Sequence, residues 1–157
     1  MKKIGFKKLL LALMLLPTFV TAGTVLNECN TGFECRILGQ KYTNGRGVKQ
    51  DDFKAVEFYQ KACGLNSGLG CTFLGFSYAK GKGVKQDDFK AVALHQKACG
   101  LNSWLGCIFL GALYEEGIGI KQSSIKALEY YGKACDLKDK FGCQMYAKLK
   151  RKIRVGK

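Results

Sequence analysis

Apolar residues recur along this chain with the spacing of an amphipathic helix, and the pattern itself repeats. Cys71, Leu74 and Tyr78 stand at positions i, i+3 and i+7, which places them on one face of a helix that we call helix A. The pattern returns 36 residues later and includes a glycine after the leucine in both copies. The second copy is Cys107, Leu110, Gly111 and Tyr114.

A second apolar stripe, which we call helix B, precedes helix A in each copy. In the first copy it follows Asp51 and Asp52, whose side chains accept hydrogen bonds and favour the start of a helix. A G-x-G sequence follows helix A and suits a turn with positive φ. The predicted stripe of helix B consists of Phe53, Val56, Tyr59, Ala62 and Cys63, then Phe89, Val92, Ala98 and Cys99, then Ile125, Leu128, Tyr131 and Cys135.

The period of 36 residues predicts the architecture. A period of this length is typical of a helical solenoid, in which each unit buries its apolar face only against its neighbours. We therefore expect an all-α chain of seven helices, with a polar closing helix after the last complete unit. The expected bounds are 33–68, 69–104 and 105–140 for the units, 141–152 for the closing helix and 150–157 for a basic tail.

The N-terminal segment has the character of a signal peptide for export. Lysines flank an apolar run at 9–20, and Val20, Thr21 and Ala22 form a small-residue site suited to cleavage after Ala22. A retained membrane anchor is the alternative, but the run is shorter than the roughly 20 residues that span a bilayer. We expect residues 23–157 to form one domain, secreted or periplasmic, with no transmembrane segment after cleavage.

Eight cysteines are the main candidate chemistry, and export would place them in an oxidising compartment, which favours disulfides. Six of them form C-x7-C pairs that recur with the unit, so pairing within each motif is the simplest arrangement. Zinc is disfavoured because its motifs use closer pairs or several histidines, and His95 is the only histidine. We expect neither a metal nor a cofactor. The expected bonds are Cys29 with Cys35, Cys63 with Cys71, Cys99 with Cys107, and Cys135 with Cys143.

The combined pattern resembles a known repeat. The sequence A-C-G-L-x4-G-C, at 62–71 and 98–107, is followed by L-G-x2-Y-x2-G-x-G-[VI]-K-Q and a second helix carrying K-A. This combination is similar to the Sel1-like repeat, a relative of the tetratricopeptide repeat, over residues 29 to about 147. The cysteine pairs narrow the resemblance to the Helicobacter cysteine-rich protein family. It implies a right-handed α/α superhelix with one disulfide per hairpin, whose helix A surfaces line a concave face that binds peptides or proteins.

The same resemblance implies a second activity, because members of that family are described as penicillin-binding proteins with slow β-lactam hydrolysis. Residues 123–126 match S-x-x-K, in which a lysine one turn from a serine nucleophile can help to manage its proton. However, Ser123 occupies the slot of Asp51 and Asp87, which favours a helix cap, and no S-D-N or K-T-G element accompanies it. We therefore assign no catalytic residue and keep a β-lactamase as the alternative function.

Binding on a concave face would use positions of helix A at which the units differ, because a solenoid keeps its backbone constant while its groove varies. Two rows of residues flank the predicted buried stripe of helix A. Phe76 and Ile108 could instead pack against neighbouring helices, and Trp104 is expected to pack in the turn before Cys107. The candidate binding residues are Arg36, Thr72, Ile108 and Gln144 in one row, and Gln40 and Phe76 in the other.

The charge of the chain adds one more candidate partner. Basic residues outnumber acidic residues by 26 to 12, and several of them lie between Lys148 and Lys157. Export argues against nucleic acid, so an anionic surface reached by salt-sensitive attraction fits better. A solvated closing helix is the alternative. The main expected partner remains a peptide or protein ligand, with a β-lactam or a peptidoglycan-related molecule as the alternative.

Overall fold

The computed structural model describes residues 28–156, so the predicted signal peptide at 1–22 lies outside the described residues. Within residues 28–156 the chain forms α-helices joined by turns and contains no strand. None of these helices is long and apolar enough to cross a membrane. The helices are α1 (Gly32–Asn44), α2 (Asp52–Gly64), α3 (Gly68–Lys80), α4 (Asp88–Gly100), α5 (Trp104–Glu116), α6 (Ser124–Asp136) and α7 (Lys140–Val155).

These helices pack as a chain of helical hairpins. The odd-numbered helices correspond to helix A, and the even-numbered helices correspond to helix B. Each helix contacts the helix before it and the helix after it in sequence, so the apolar faces are buried between neighbours. The expected all-α solenoid is confirmed over the described residues. The closing helix α7 continues to Val155, so it is longer than the expected 141–152 and includes most of the predicted basic tail.

The helix ends follow the local sequence. The side chains of Asp51, Asp87 and Ser123 each accept a hydrogen bond from the backbone N–H three residues later, which confirms the predicted start of helix B. Helix A ends at the first glycine of the G-x-G sequence, and the φ of that glycine is positive in every unit. The sequence did not predict that each turn from helix B to the next helix A contains a non-glycine residue with positive φ. These residues are Asn66, Asn102 and Lys138.

One part of the predicted helix B stripe is wrong. Phe53, Phe89 and Ile125 are exposed, by 72%, 77% and 78% respectively, although all three are large and apolar. The buried face of α2 instead begins at Ala55 and continues through Val56. Successive residues of an α-helix are rotated by about 100°, so Phe53, two positions before Ala55, points to the opposite side of α2.

The structure contains disulfides at all four expected pairs, and the described residues include no free cysteine. Three of the bonds join the end of a helix B to the start of the following helix A. The first bond joins Cys29, which lies ahead of α1, to Cys35 within α1. Cys71 and Cys107 are completely buried, so these sulfur atoms form part of the core as well as a covalent link.

The middle unit carries a buried histidine where its neighbours carry a tyrosine. The hydroxyl of Tyr59 shares a hydrogen bond with the hydroxyl of Thr43, and the hydroxyl of Tyr131 donates to the carboxylate of Glu115. His95 occupies the equivalent position and is 2% exposed, and its Nδ1 has no hydrogen-bond partner among the described residues. Burial lowers the pKa of His95 from 6.5 to about 4, because desolvation disfavours the charged imidazolium.

We therefore predict an acid-dependent loss of stability that originates at His95. In the unfolded chain its pKa is near 6.5, so the unfolded state takes up a proton before the folded state does as the pH falls toward 4. The contribution of neutral His95 to the free energy of unfolding is fully present above pH 6.5. About 3 kcal/mol should be lost as the pH falls from 6.5 to about 4. Urea unfolding followed by circular dichroism at several pH values measures this loss.

The double variant His95→Tyr with Ala79→Thr is the matched control, because it gives the middle unit the pair that Tyr59 and Thr43 form in the first unit. Carboxylates titrate in both proteins, so the difference between the two pH profiles isolates His95. Identical profiles would contradict the assignment.

Candidate binding groove

The contacts between helices identify the inner side of the solenoid. Among the described helices, α3 contacts both α1 and α5, whereas the helix B elements make no comparable contact with one another. Elements on the inner side of a curved array lie closer together than those on the outer side. Helix A therefore lines the concave side, as the resemblance implied.

A cleft of about 250 Å³ opens on this side between α1, α3 and α5, and residues of α2 complete its wall. Four aromatic rings contribute to its walls. The ring of Phe73 stacks on Tyr59 with centroids 5.3 Å apart, and the ring of Phe76 lies 6.2 Å from that of Phe109. Polar groups stand around these rings. The cleft is lined by Phe73, Phe76, Leu105, Phe109, Tyr59, Ala55, Thr72 and Ser77, with Gln40, Thr43, Asn44, Asp52 and Lys82.

The predicted binding residues divide into two groups. Gln40, Thr72 and Phe76 meet at the cleft, while Ile108 and Gln144 do not line it. Thr72 forms part of the floor but is completely buried, because its hydroxyl shares a hydrogen bond of 3.0 Å with the hydroxyl of Ser103 at the start of α5.

The surface position expected for one row of helix A therefore needs correction. Thr72 and Ile108 are both buried, with exposed fractions of 0% and 6%. Thr72 faces the following helix A and is covered by the start of α5. Gln144 is exposed in the closing helix α7, and Arg36 is partly exposed in α1. Thr72 lies beneath the cleft and Ile108 is buried away from it, so this row does not form an exposed binding surface.

Sequence reasoning missed the row that supplies much of the cleft wall. Phe73 and Phe109 belong to a position of helix A that is apolar in every unit but lies outside the predicted buried stripe. This constancy was the available signal, because an exposed helix face has no need of a large apolar residue in every copy. The row consists of Ile37, Phe73, Phe109 and Met145, and all four residues are half-buried.

A second apolar surface, which we call the turn patch, lies at the hairpin turns beside the N-termini of α1, α3 and α5. It includes Phe33, Leu65, Leu69, Leu101 and Trp104. Phe33 is 66% exposed and Trp104 is 39% exposed, so the tryptophan is mostly packed at the turn and still leaves part of its ring accessible.

Arg36 joins the turn patch to the cleft. Its guanidinium lies 4.9 Å from the centre of the Phe33 ring, and its Nη1 donates a hydrogen bond of 2.7 Å to Oε1 of Gln40. Phe33 belongs to the turn patch and Gln40 to the cleft. The two surfaces are therefore continuous along the concave side.

The S-x-x-K sequence forms a helix cap. The hydroxyl of Ser123 accepts a hydrogen bond of 3.3 Å from the backbone N–H of Lys126. The ammonium group of Lys126 lies 5.2 Å from the centre of the Tyr114 ring, and the same cation–π contact joins Lys90 to Tyr78. Residues 123–126 thus repeat a structural feature of the other units.

Three consecutive segments, residues 35–67, 68–103 and 104–139, match the family model of the Sel1 repeat. The chain therefore belongs to the Sel1 repeat family, a class of helical repeats that mediate protein interactions. No curated protein matches it.

Solved structures show the same architecture. The chain is 37% identical to Helicobacter pylori cysteine rich protein B, with a TM-score of 0.61, and the match covers 76% of this chain and 84% of that protein. A Sel1 repeat protein from Oxalobacter formigenes is 26% identical, with a TM-score of 0.67 and coverages of 74% and 88%. These matches confirm the expected resemblance to cysteine-rich Sel1 repeat proteins.

A protective antigen of uropathogenic Escherichia coli, c5321, is 32% identical with a TM-score of 0.67. The match covers 71% of this chain and 24% of the antigen. The chain thus spans about a quarter of the length of that relative.

Substitution of Ser123 tests the cap directly. Ser123→Asp introduces the residue that caps α2 and α4, so the free energy of unfolding should be unchanged or slightly higher, whereas Ser123→Ala should lose about 1 kcal/mol. Any reaction with a labelled penicillin should be the same in Ser123→Asp and in the unmodified protein. Loss of labelling in Ser123→Asp, with an unchanged circular dichroism spectrum, would identify Ser123 as a nucleophile.

Proposed function

We propose that this protein is an extracytoplasmic scaffold whose concave groove binds an extended segment of a peptide or another protein. The main supporting observation is the aromatic cleft formed by α1, α3 and α5. Its volume of about 250 Å³ is below the roughly 300–1,000 Å³ of typical small-molecule pockets. A cleft of this size suits one large side chain of a longer ligand.

The rigidity of the groove favours such binding. The disulfide between Cys63 and Cys71 joins α2 to α3, and the hydrogen bond between Thr72 and Ser103 joins α3 to the start of α5. A ligand that enters a preorganised groove loses less free energy to the ordering of the protein. The aromatic walls can therefore act as a binding hot spot.

The disulfides support an extracytoplasmic location. All cysteines among the described residues are oxidised, and structural disulfides of this kind persist in oxidising compartments. The similar cysteine-rich protein from Helicobacter pylori and the predicted signal peptide agree with this location. Hydrolysis of a β-lactam, the alternative that the resemblance implied, gains no support from Ser123 because its hydroxyl caps α6.

A second contact would involve the closing helix α7. Leu149 is buried in the hydrophobic core around Tyr131, and Ile153 packs against the same core, so one side of α7 is fixed to the solenoid. Lys150, Arg151 and Arg154 are exposed. The exposed side of α7 therefore presents several positive charges that can attract an anionic surface.

The cleft can be tested with peptides selected from a displayed random library against the oxidised protein. Phe76→Ala should weaken a selected peptide by about 1 kcal/mol or more, because it removes part of an aromatic wall. Glu57→Ala and Gln96→Ala, at exposed positions of helix B, should leave the affinity unchanged. Isothermal titration calorimetry measures all three. Equal losses in the helix A and helix B variants would exclude the cleft as the binding site.

The contact through α7 can be tested with vesicles that contain phosphatidylglycerol. Arg151→Gln with Arg154→Gln should reduce binding at low salt, and the difference should disappear at high salt. The double variant Lys85→Gln with Lys121→Gln removes the same charge from the loops and should bind nearly as well as the unmodified protein. Equal effects of the two double variants would show that net charge, and not α7, governs the attraction.

A further inference from the structure

We propose that the ligand is an acidic extended segment with two large apolar side chains at alternate positions, one seated in the cleft and the other on the turn patch. This inference rests on the proposed peptide-binding function and specifies the chemistry of the partner. The distance between the cleft and the turn patch determines the spacing of the two apolar side chains, and the charges near both surfaces determine the charge of the ligand.

The separation of the two surfaces follows from the helices that cross both of them. On α3, Leu69 lies in the turn patch and Phe73 lines the cleft. These residues are four positions apart, which is a rise of about 6 Å along an α-helix. Because they are also close in angle around the axis, at about 40°, both point toward the same side of α3.

An extended peptide matches this separation. It rises about 3.3 Å per residue, and its alternate side chains point to the same side. Side chains at positions i and i+2 are therefore about 6.6 Å apart and face the same surface. Adjacent positions would direct the two side chains to opposite sides, and only one of them could reach the groove.

The turn patch has the properties of a contact surface. Phe33, Leu65 and Trp104 are large apolar residues with substantial exposed fractions of 66%, 51% and 39%, and they lie together. Contiguous apolar surface of this kind marks sites of interaction, and tryptophan is enriched among residues that dominate binding energies. Its continuity with the cleft through Arg36 and Gln40 makes one ligand sufficient for both surfaces.

The charges near the groove favour an acidic ligand. Arg36 lies between the two surfaces, and Lys82 lines the cleft beside a single carboxylate, that of Asp52. The guanidinium of Arg36 has five N–H donors, so it can bind a ligand carboxylate in addition to Gln40. The basic excess of residues 23–157, about 22 basic against 12 acidic residues, acts in the same direction.

The test uses dye-labelled synthetic peptides and the only tryptophan of the chain, Trp104. EEFSLEE has apolar residues at alternate positions, EEFLSEE has them adjacent, and KKFSLKK reverses the charge. Fluorescence anisotropy of the dye reports affinity. In a second measurement with unlabelled peptide, the fluorescence emission of Trp104 is recorded. This emission should shift to shorter wavelength when the peptide covers the turn patch.

We expect EEFSLEE to bind with a shift of Trp104 emission, and EEFLSEE and KKFSLKK to bind about tenfold more weakly. Phe76→Ala and Trp104→Ala should each weaken EEFSLEE by a similar factor, and Trp104→Phe should restore most of the affinity. Phe89→Ala, which removes an exposed ring outside the groove, should have no effect. Circular dichroism verifies that each variant is folded.

The outcomes separate this inference from the proposed function. Equal affinities for EEFSLEE and EEFLSEE, or binding that depends on Phe76 without any change in Trp104 emission, would overturn the two-anchor ligand and leave the cleft as a peptide site. If library-selected peptides bind without dependence on Phe76, the proposed function itself fails. Equal binding of EEFSLEE and KKFSLKK would overturn the acidic character of the ligand.

Discussion

The close approach of each helix B to the helix A that follows it is the contact on which the rest of this structure depends. A Cβ on Gly70 would lie only 2.5 Å from the Cβ of Ala62, so glycine is required where the two helices meet. The disulfide between Cys63 and Cys71 closes the same junction. Backbone contact and covalent bond together fix the angle between one unit and the next, and the same arrangement returns in the later units.

The groove is a consequence of that junction. Once α3 is held against α2, the N-terminus of α3 approaches α1 closely, since a Cβ at Gly32 would meet the side chain of Ser67 at 2.9 Å. Helix A elements of successive units therefore lie side by side on the inner surface. Residues one turn apart on each of them then form continuous apolar rows, and the cleft occurs where the rows of α1, α3 and α5 meet.

The features that could be predicted from the sequence are those determined within one unit. Ser123 and Asp51 cap helices through a bond to a residue three positions away, and the disulfides recur with the unit. The burial of Thr72 and the exposure of Trp104 could not be predicted in this way, because each depends on the angle between units. Phe53 was assigned to the core because it is large and apolar, whereas the helix turns the smaller Ala55 inward. The aromatic wall at Phe73 was recognisable only from its constancy among the units.

The first residue of each helix A also determines how closely the next helix A can approach. Gly32 and Gly68, the first residues of α1 and α3, stand so close to Ser67 and Ser103 at the start of the next helix A that a larger side chain would force the two helices apart, yet α5 begins with Trp104. The helix A that follows α5 is α7, and the close contact between successive helix A elements, present between α1 and α3 and between α3 and α5, is not repeated to the same extent there. The indole of Trp104 therefore stands at the point where the tight packing of helix A against helix A ends.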